Sequence, residues 1–248
     1  DHLLEENNEF IKSLEVAYKQ AHAKKFVALG VIPSKPHEGY GYIKKGELVE
    51  NGVNHIDLFV EKPPLAKAKE MLTSNQYLWN SGIFIFEANK YLAELRTKAP
   101  LIYKSCSEAY SDKSMDANFI TPNAQLFEMC PPDSIDYAIM EKVSDAVVVP
   151  LETAWSDLGS WSSLWEIGKK DANSNVVKGD TVLHDTKNCL INSENLLVTT
   201  IGVENLAVVV TKDAVLISDM EEVQAVKVIV DTLKKSKRQE SDISREVY

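Results

Sequence analysis

The stretch Phe26-Val27-Ala28-Leu29-Gly30-Val31-Ile32 is apolar throughout and stops before Pro33 and Pro36, which interrupt sheet pairing. Such a run is typical of a strand buried on both faces. It follows residues 5–23, where apolar side chains recur every three or four positions, as they do in an amphipathic helix. A helix that leads into a buried strand predicts an α/β layer.

The same alternation continues toward residue 168. The patterns predict a hairpin that turns at Lys44-Lys45-Gly46 and further strands at residues 56–60, 79–86 and 146–149. Helices are predicted at residues 65–73, 88–98, 101–110 and 134–141, the last of them capped by Ser134. Elements in this order predict an open sheet with helices on both faces.

After Lys170 the pattern changes to short apolar pieces separated by Asn, Gly, Asp and Lys. This rhythm predicts a small β-solenoid, followed by a helix from Asp219 to Lys235. The predicted domains are therefore residues 1–168 and 171–248.

Composition excludes several classes of protein. The 248 residues carry 27 basic and 37 acidic side chains, a net charge of −10, so nucleic acid is not an expected partner. No apolar stretch is long enough to span a membrane. The three cysteines are widely spaced and form no metal-binding pair, which favours reduced thiols in a cytoplasmic protein.

Two strand ends combine turn residues with groups that bind ligands. In Gly39-Tyr40-Gly41-Tyr42, the glycines either permit close approach of a ligand or form an ordinary turn. In Phe59-Val60-Glu61-Lys62-Pro63, the acid and the base are either a solvated pair or pocket residues. Neighbours on a strand point to opposite faces, so both Glu61 and Lys62 enter one pocket only if the backbone bends before Pro63.

Two further clusters each allow two interpretations. Asn80, in Trp79-Asn80-Ser81-Gly82, either satisfies local backbone or holds a ligand hydroxyl. Asp157, before Leu158-Gly159-Ser160, is either a turn former or an oxygen ligand for Mg²⁺.

Taken together, these motifs resemble the bacterial mannose-1-phosphate guanylyltransferases of type II, the GDP-mannose pyrophosphorylases. The order and spacing of the following stretches carry the resemblance: Asp1-His2-Leu3, Gly39-Tyr40-Gly41-Tyr42-Ile43, Phe59-Val60-Glu61-Lys62-Pro63, Trp79-Asn80-Ser81-Gly82-Ile83-Phe84, Ser134-Ile135-Asp136-Tyr137-Ala138-Ile139-Met140-Glu141-Lys142, Trp155-Ser156-Asp157-Leu158-Gly159-Ser160-Trp161 and Gly202-Val203-Glu204-Asn205-Leu206. The resemblance implies the C-terminal part of a Rossmann-like, GT-A-like nucleotidyltransferase sheet. A small left-handed β-helix-like module and a helix would follow it.

The resemblance also implies a reaction, in which GTP and mannose 1-phosphate give GDP-mannose and pyrophosphate. By the same resemblance, Asp1 and Asp157 would hold Mg²⁺, Lys62 would meet the sugar phosphate, and Glu61, Asn80 and Gly41 would address mannose. Asp1, Lys62 and Asp157 are thus the expected catalytic residues.

One family feature is not found in this sequence. The family has a glycine-rich nucleotide-binding segment before the position of Asp1, so we expect this chain alone to bind GTP weakly and to be inactive. The alternatives are another sugar-1-phosphate nucleotidyltransferase, or a silent sugar-phosphate-binding module that forms a homodimer through its β region.

Overall fold

The computed structural model describes residues 2–4, 7–50, 52–116, 118–153, 155–238 and 240. Contacts divide the chain into two compact units. One comprises residues 4–155, and the other comprises residues 156–248 together with residues 1–3. This division falls inside the first predicted domain, and the predicted limits 1–168 and 171–248 stay predictions.

The first unit alternates strands and helices. Its elements, with the two short strands at the unit boundary, are β1 (Leu3–Leu4), α1 (Asn7–His22), β2 (Phe26–Val31), β3 (Tyr42–Glu50), β4 (Val53–Val60), α2 (Leu65–Ser74), β5 (Tyr77–Ile85), α3 (Ala88–Lys98), α4 (Pro100–Ser111), β6 (Ser114–Asp116), β7 (Phe119–Thr121), α5 (Ala124–Glu128), a π-helical turn (Asp136–Met140), β8 (Ala146–Leu151) and β9 (Trp155–Ser156).

Strands β2, β5, β3, β4 and β8 form one closed sheet. Strand β2 pairs parallel with β8 and antiparallel with β5. The hairpin of β3 and β4 has register shifts between Lys44 and Glu50, and its far end, at Asn54 and His55, pairs with β8. The prediction of an open sheet was wrong, because this irregular hairpin bends far enough to close it.

Helices cover both faces of the sheet, which confirms the predicted fold class. The reason is visible in β2, whose successive side chains point to opposite faces. Phe26 and Ala28 belong to a core that includes Leu95 of α3. Leu29 belongs to a second core that includes Ala17 of α1.

The second unit contains the β module. Its elements are α6 (Trp161–Ile167), β10 (Val176–Lys178), β11 (Thr181–His184), β12 (Leu190–Ser193), β13 (Val198–Ile201), β14 (Leu206–Val210), β15 (Val215–Asp219), a 3₁₀ turn (Val223–Ala225) and α7 (Val226–Lys235).

Successive strands of this module alternate between two sheets. Strands β10, β12 and β14 pair in parallel, and β11 pairs in parallel with β13. The chain therefore coils, with Leu183, Ile191 and Val208 in the apolar core between the sheets. This arrangement confirms the predicted β-helix-like module.

Two local predictions were wrong. The hairpin turns between Glu50 and Val53 rather than at Lys44-Lys45-Gly46, because Gly52 adopts the positive φ of 78° that a tight turn requires. The final helix, α7, begins at Val226 rather than at Asp219, because Asp219 lies at the end of β15 and accepts a hydrogen bond from Glu221 N (2.8 Å).

In the described part of the chain, every helix is too short or too polar to cross a bilayer. The expected cytoplasmic location stays a prediction.

Candidate functional site

The strand β4 ends in a bend that turns two neighbouring charges to the same side. Lys62 has a φ of 47°, a left-handed conformation that is uncommon for a residue with a side chain. Because of this bend, Lys62 Nζ lies 2.8 Å from Glu61 Oε1. The Lys62 side chain is 54% exposed, whereas that of Glu61 is 8% exposed. The backbone bend on which a shared pocket depends is therefore present.

The second carboxylate oxygen of Glu61 has no hydrogen-bond partner among the described residues, although it is buried. A Cβ at Gly41 would lie 2.3 Å from that oxygen, so only glycine leaves room for it. A buried carboxylate oxygen without a donor is costly and therefore rare. It indicates a place where a ligand supplies the donor.

A Cβ at Gly41 would also lie 3.5 Å from Nδ2 of Asn80, a residue that is 8% exposed. Its backbone N donates to Gly41 O (2.8 Å), which fixes β5 against the loop that contains the glycine. The side-chain Nδ2 donates to Asp136 Oδ1 (2.9 Å), and Oδ1 accepts from Gly82 N (3.0 Å). An amide has two N–H groups, so these contacts orient Asn80 and leave it capacity for a ligand hydroxyl. Both alternatives for Asn80 can thus hold together.

Asp136 is a site residue to which the sequence analysis gave no role. It begins the π-helical turn, and three buried side chains, Ala138, Ile139 and Met140, anchor that turn in the core. The expected N-cap is absent at Ser134, whose carbonyl instead accepts from Ala138 N (2.8 Å). The signal available in the sequence was the Ser134–Lys142 stretch, in which a single carboxylate precedes a buried run.

The electrostatics of the cluster keep Lys62 charged. The hydrogen bond with Glu61 raises the pKa of Lys62 above its ordinary value of 10.5, and the nearby Tyr137 and Asp136 act in the same direction. Lys62 is therefore an ammonium group at neutral pH. Its half-exposed position suits it to meet a solvent-borne anion such as a phosphate.

An aromatic cluster borders the glycine loop. The Tyr40 ring contacts the edges of Trp79 and Trp155, with centroids 5.1 and 5.3 Å away, and stacks on His37 at 3.8 Å. Trp79 Nε1 is buried and, within the described ranges, has no hydrogen-bond partner. Trp79 Nε1 is thus a second buried polar atom, in addition to Glu61 Oε2, for which no described residue is a partner.

The two predicted magnesium ligands are Asp1 and Asp157. Asp1 lies outside the described residues. Asp157 Oδ1 accepts from Gly159 N (2.9 Å), and Leu158 has a φ of 52°, so Asp157 does form a turn. No three His, Cys, Asp or Glu side chains in the described ranges are grouped as a metal site. Asp157 belongs to the second unit, and the magnesium prediction stays a prediction.

Two family models match different parts of the chain. Residues 1–174 match the model of the nucleotidyl transferase family. The chain belongs to that family. Residues 179–233 match the MannoseP isomerase/GMP-like beta-helix domain.

Curated relatives agree with the family match. The chain is 47% identical to a mannose-1-phosphate guanylyltransferase of Salmonella montevideo and 44% identical to one of Escherichia coli K12. It is 43% identical to the alginate biosynthesis protein AlgA of Pseudomonas aeruginosa. Each match covers 100% of this chain and 54%, 53% and 52% of the relative, so the chain spans about half of their length.

Solved structures support the fold. A mannose-1-phosphate geranyltransferase from Thermus thermophilus matches with a TM-score of 0.80 and 29% identity, over 94% of this chain and 68% of that one. A mannose-6-phosphate isomerase from Helicobacter pylori matches with a TM-score of 0.58 and 31% identity, over 63% and 61% of the two chains.

Proposed function

We propose that the protein is a mannose-1-phosphate guanylyltransferase, which converts GTP and mannose 1-phosphate into GDP-mannose and pyrophosphate in the cytoplasm. The observation that supports it most is the buried Glu61 carboxylate, whose free oxygen faces Gly41 and Asn80. A sugar hydroxyl donates one hydrogen bond and accepts others, so it fits between a carboxylate oxygen and an amide N–H.

The site has two regions, each of which suits a different chemical part of mannose 1-phosphate. Glu61 and Asn80 are buried and suit the neutral hydroxyls of mannose. Lys62 is half exposed and charged at neutral pH, so it suits the phosphate at carbon 1. Because the backbone bends at Lys62, the adjacent residues Glu61 and Lys62 lie on the same side and can contact the sugar and its phosphate.

In the reaction, an oxygen of the sugar phosphate attacks the α-phosphorus of GTP. A new phosphorus–oxygen bond forms while the bond to the β-phosphate breaks, and pyrophosphate leaves with its electron pair. The nucleophile is already anionic, so no general base is required. Lys62 positions the attacking phosphate and offsets its negative charge, and positioning of this kind supplies much of the catalysis of phosphoryl transfer.

We also propose that Asp1 and Asp157 hold Mg²⁺. Magnesium prefers oxygen ligands and takes one or two carboxylates together with substrate phosphates, a donor set that the Asp157 carboxylate fits. When bound, the ion would neutralise phosphate charge. The proposed homodimer through the β module is a separate prediction.

The test is a substitution of Lys62 in the full-length protein, followed by titration with each substrate. We expect Lys62→Ala to weaken binding of mannose 1-phosphate by roughly 10- to 100-fold, as the loss of a charged hydrogen bond does. GTP binding should change much less. Equal effects on both substrates would remove Lys62 from the sugar-phosphate position.

A wider assay tests the activity itself. GDP-mannose formation should require mannose 1-phosphate and GTP, and glucose 1-phosphate or another nucleotide should be poorer substrates. If another pair of substrates reacts faster, the protein is a different nucleotidyltransferase. If the protein binds the sugar phosphate without turnover of any nucleotide, the silent-module alternative holds.

A further inference from the structure

Two cysteines of the first unit lie close together outside the candidate site. Cys106 belongs to α4, and Cys130 follows the end of α5. Their sulfur atoms are 3.9 Å apart, and both side chains are partly exposed. No function discussed above uses them.

Hydrogen bonds of Asn123 bring the two cysteines close together. Asn123 N donates to Ala109 O of α4 (3.0 Å), and Asn123 Nδ2 donates to Asp112 Oδ2 (2.7 Å). Asn123 also caps α5, since its Oδ1 accepts from Leu126 N (3.1 Å). These bonds hold α5 against α4, so that the chain after α5 returns to Cys106.

A small molecule can reach the pair. Cys106 lines an open groove of about 540 Å³, and Tyr103, Tyr110 and Phe127 form part of the same lining. Cys130 lies outside regular structure, between α5 and Pro131. A disulfide needs its sulfur atoms about 2.05 Å apart, so its formation here requires the two sulfur atoms to approach from 3.9 Å.

We propose that Cys106 and Cys130 are a modification site, at which a small-molecule disulfide oxidises the two thiols to a reversible internal disulfide. One thiolate attacks a sulfur of the small disulfide, forms a mixed disulfide and releases the first small thiol. The second cysteine then attacks the protein-bound sulfur and releases the second small thiol. The two protein thiols lose two electrons and two protons, and the small disulfide gains them.

The third cysteine provides an internal control. Cys189 lies in the β module, is 0% exposed and donates to Lys187 O (3.1 Å). Burial raises the pKa of both the Cys189 and the Cys106 thiol, so the exposure of the side chain, and not its pKa, separates the two. We therefore expect Cys189 to take no part in the reaction.

The experiment is incubation of the native, full-length protein with oxidised glutathione, followed by intact-mass measurement and peptide mapping without reduction. The expected result is a loss of two hydrogen atoms in mass and a linked pair of peptides that contain Cys106 and Cys130. Dithiothreitol should reverse both. The Cys189→Ser variant should behave in the same way.

The Cys106→Ser variant tests the second step. It should stop at one glutathione adduct on Cys130, provided that its circular dichroism spectrum matches that of the unmodified protein. Stable glutathione adducts on both cysteines of the original protein, links between molecules, or thiols that stay unmodified would each overturn the proposal. None of these readouts depends on guanylyltransferase activity.

Discussion

Two buried asparagines of this molecule, one in each unit, have similar exposure but very different surroundings. Asn175 of the β module is 1% exposed, and Asn80 of the first unit is 8% exposed. Asn175 Nδ2 donates to Asp171 Oδ2 (3.0 Å) and to Thr186 O (2.8 Å), while its Oδ1 accepts from Cys189 N (3.0 Å). The side-chain amide of Asn175 thus has partners for both its donor and its acceptor within its own unit.

Asn80 also has a partner for its donor, Asp136, and for its acceptor, Gly82 N, but it borders the unpaired Glu61 Oε2. Burial of polar groups therefore does not by itself indicate a binding site, because a coiled β module also needs buried amides to pair backbone groups at its turns. A buried group that the protein leaves unpaired is the more specific sign, since it costs stability that only a ligand offsets.

The largest expected effect is on the stability of the β module. Asn175→Ala removes the partners of Cys189 N and Thr186 O and leaves these groups buried. We expect a loss of about 2–5 kcal/mol in the free energy of unfolding, since each unsatisfied buried group costs about 1–3 kcal/mol. Chemical denaturation measures this loss. Binding of mannose 1-phosphate to the folded fraction should not change, and a stable variant with impaired binding would contradict the comparison.

The next effect is on the candidate site. A Cβ at Gly41 would lie 2.3 Å from Glu61 Oε2, so Gly41→Ala should displace the carboxylate. We expect roughly 10-fold or greater weakening of mannose 1-phosphate binding, the cost of one charged hydrogen bond. Calorimetric titration measures it. Gly46→Ala is the matched control, because its closest neighbour is His55 O at 3.2 Å, in the hairpin. Similar affinities in both variants would count against the role of Gly41.

A smaller effect is expected at Asp136, which acts by positioning Asn80. Asp136→Ala should weaken sugar-phosphate binding by about 3- to 10-fold, a typical value for one hydrogen bond. Asp136→Asn retains an oxygen that accepts from Asn80 and should recover most of the affinity. If the asparagine variant binds as weakly as the alanine variant, the positioning role is wrong.

The smallest effect is on pH dependence. The pKa of Lys62 is raised in the folded protein, so its ion pair with Glu61 stabilises the fold below the unfolded value of 10.5 and ceases to do so as the pH rises through the folded value. Between about pH 7.5 and 10, the contribution of Lys62 to mannose 1-phosphate affinity should therefore be constant. A difference between the original protein and Lys62→Ala that disappears near pH 8 would contradict this assignment.

The sequence predicts much of this molecule, and its failures have physical causes. The run from Phe26 to Ile32 predicts a buried strand because apolar character and proline limits are local properties. The closed sheet was missed, because the bend of β3 and β4 depends on register shifts that no local pattern encodes. The Asn51-Gly52 pair was the available signal for the true hairpin turn.

For the candidate site, too, the sequence predicts the residues but not their proximity. Strand ends and turn residues identify Gly41, Glu61, Lys62 and Asn80, but their proximity depends on the left-handed backbone at Lys62. Asp136 lies 56 positions after Asn80 in the sequence, and only the folded chain joins their side chains.

The most direct test of the central claim is the substitution Glu61→Gln, with mannose 1-phosphate affinity and melting temperature measured on the same full-length protein. The amide keeps the size of the side chain and removes the buried charge. We predict roughly 10- to 100-fold weaker binding together with a melting temperature that changes little, because the loss of the ion pair with Lys62 is offset by removal of the cost of burying the carboxylate. Unchanged affinity, or a fall in melting temperature as large as that of Asn175→Ala, would show that Glu61 stabilises the fold and does not bind the sugar.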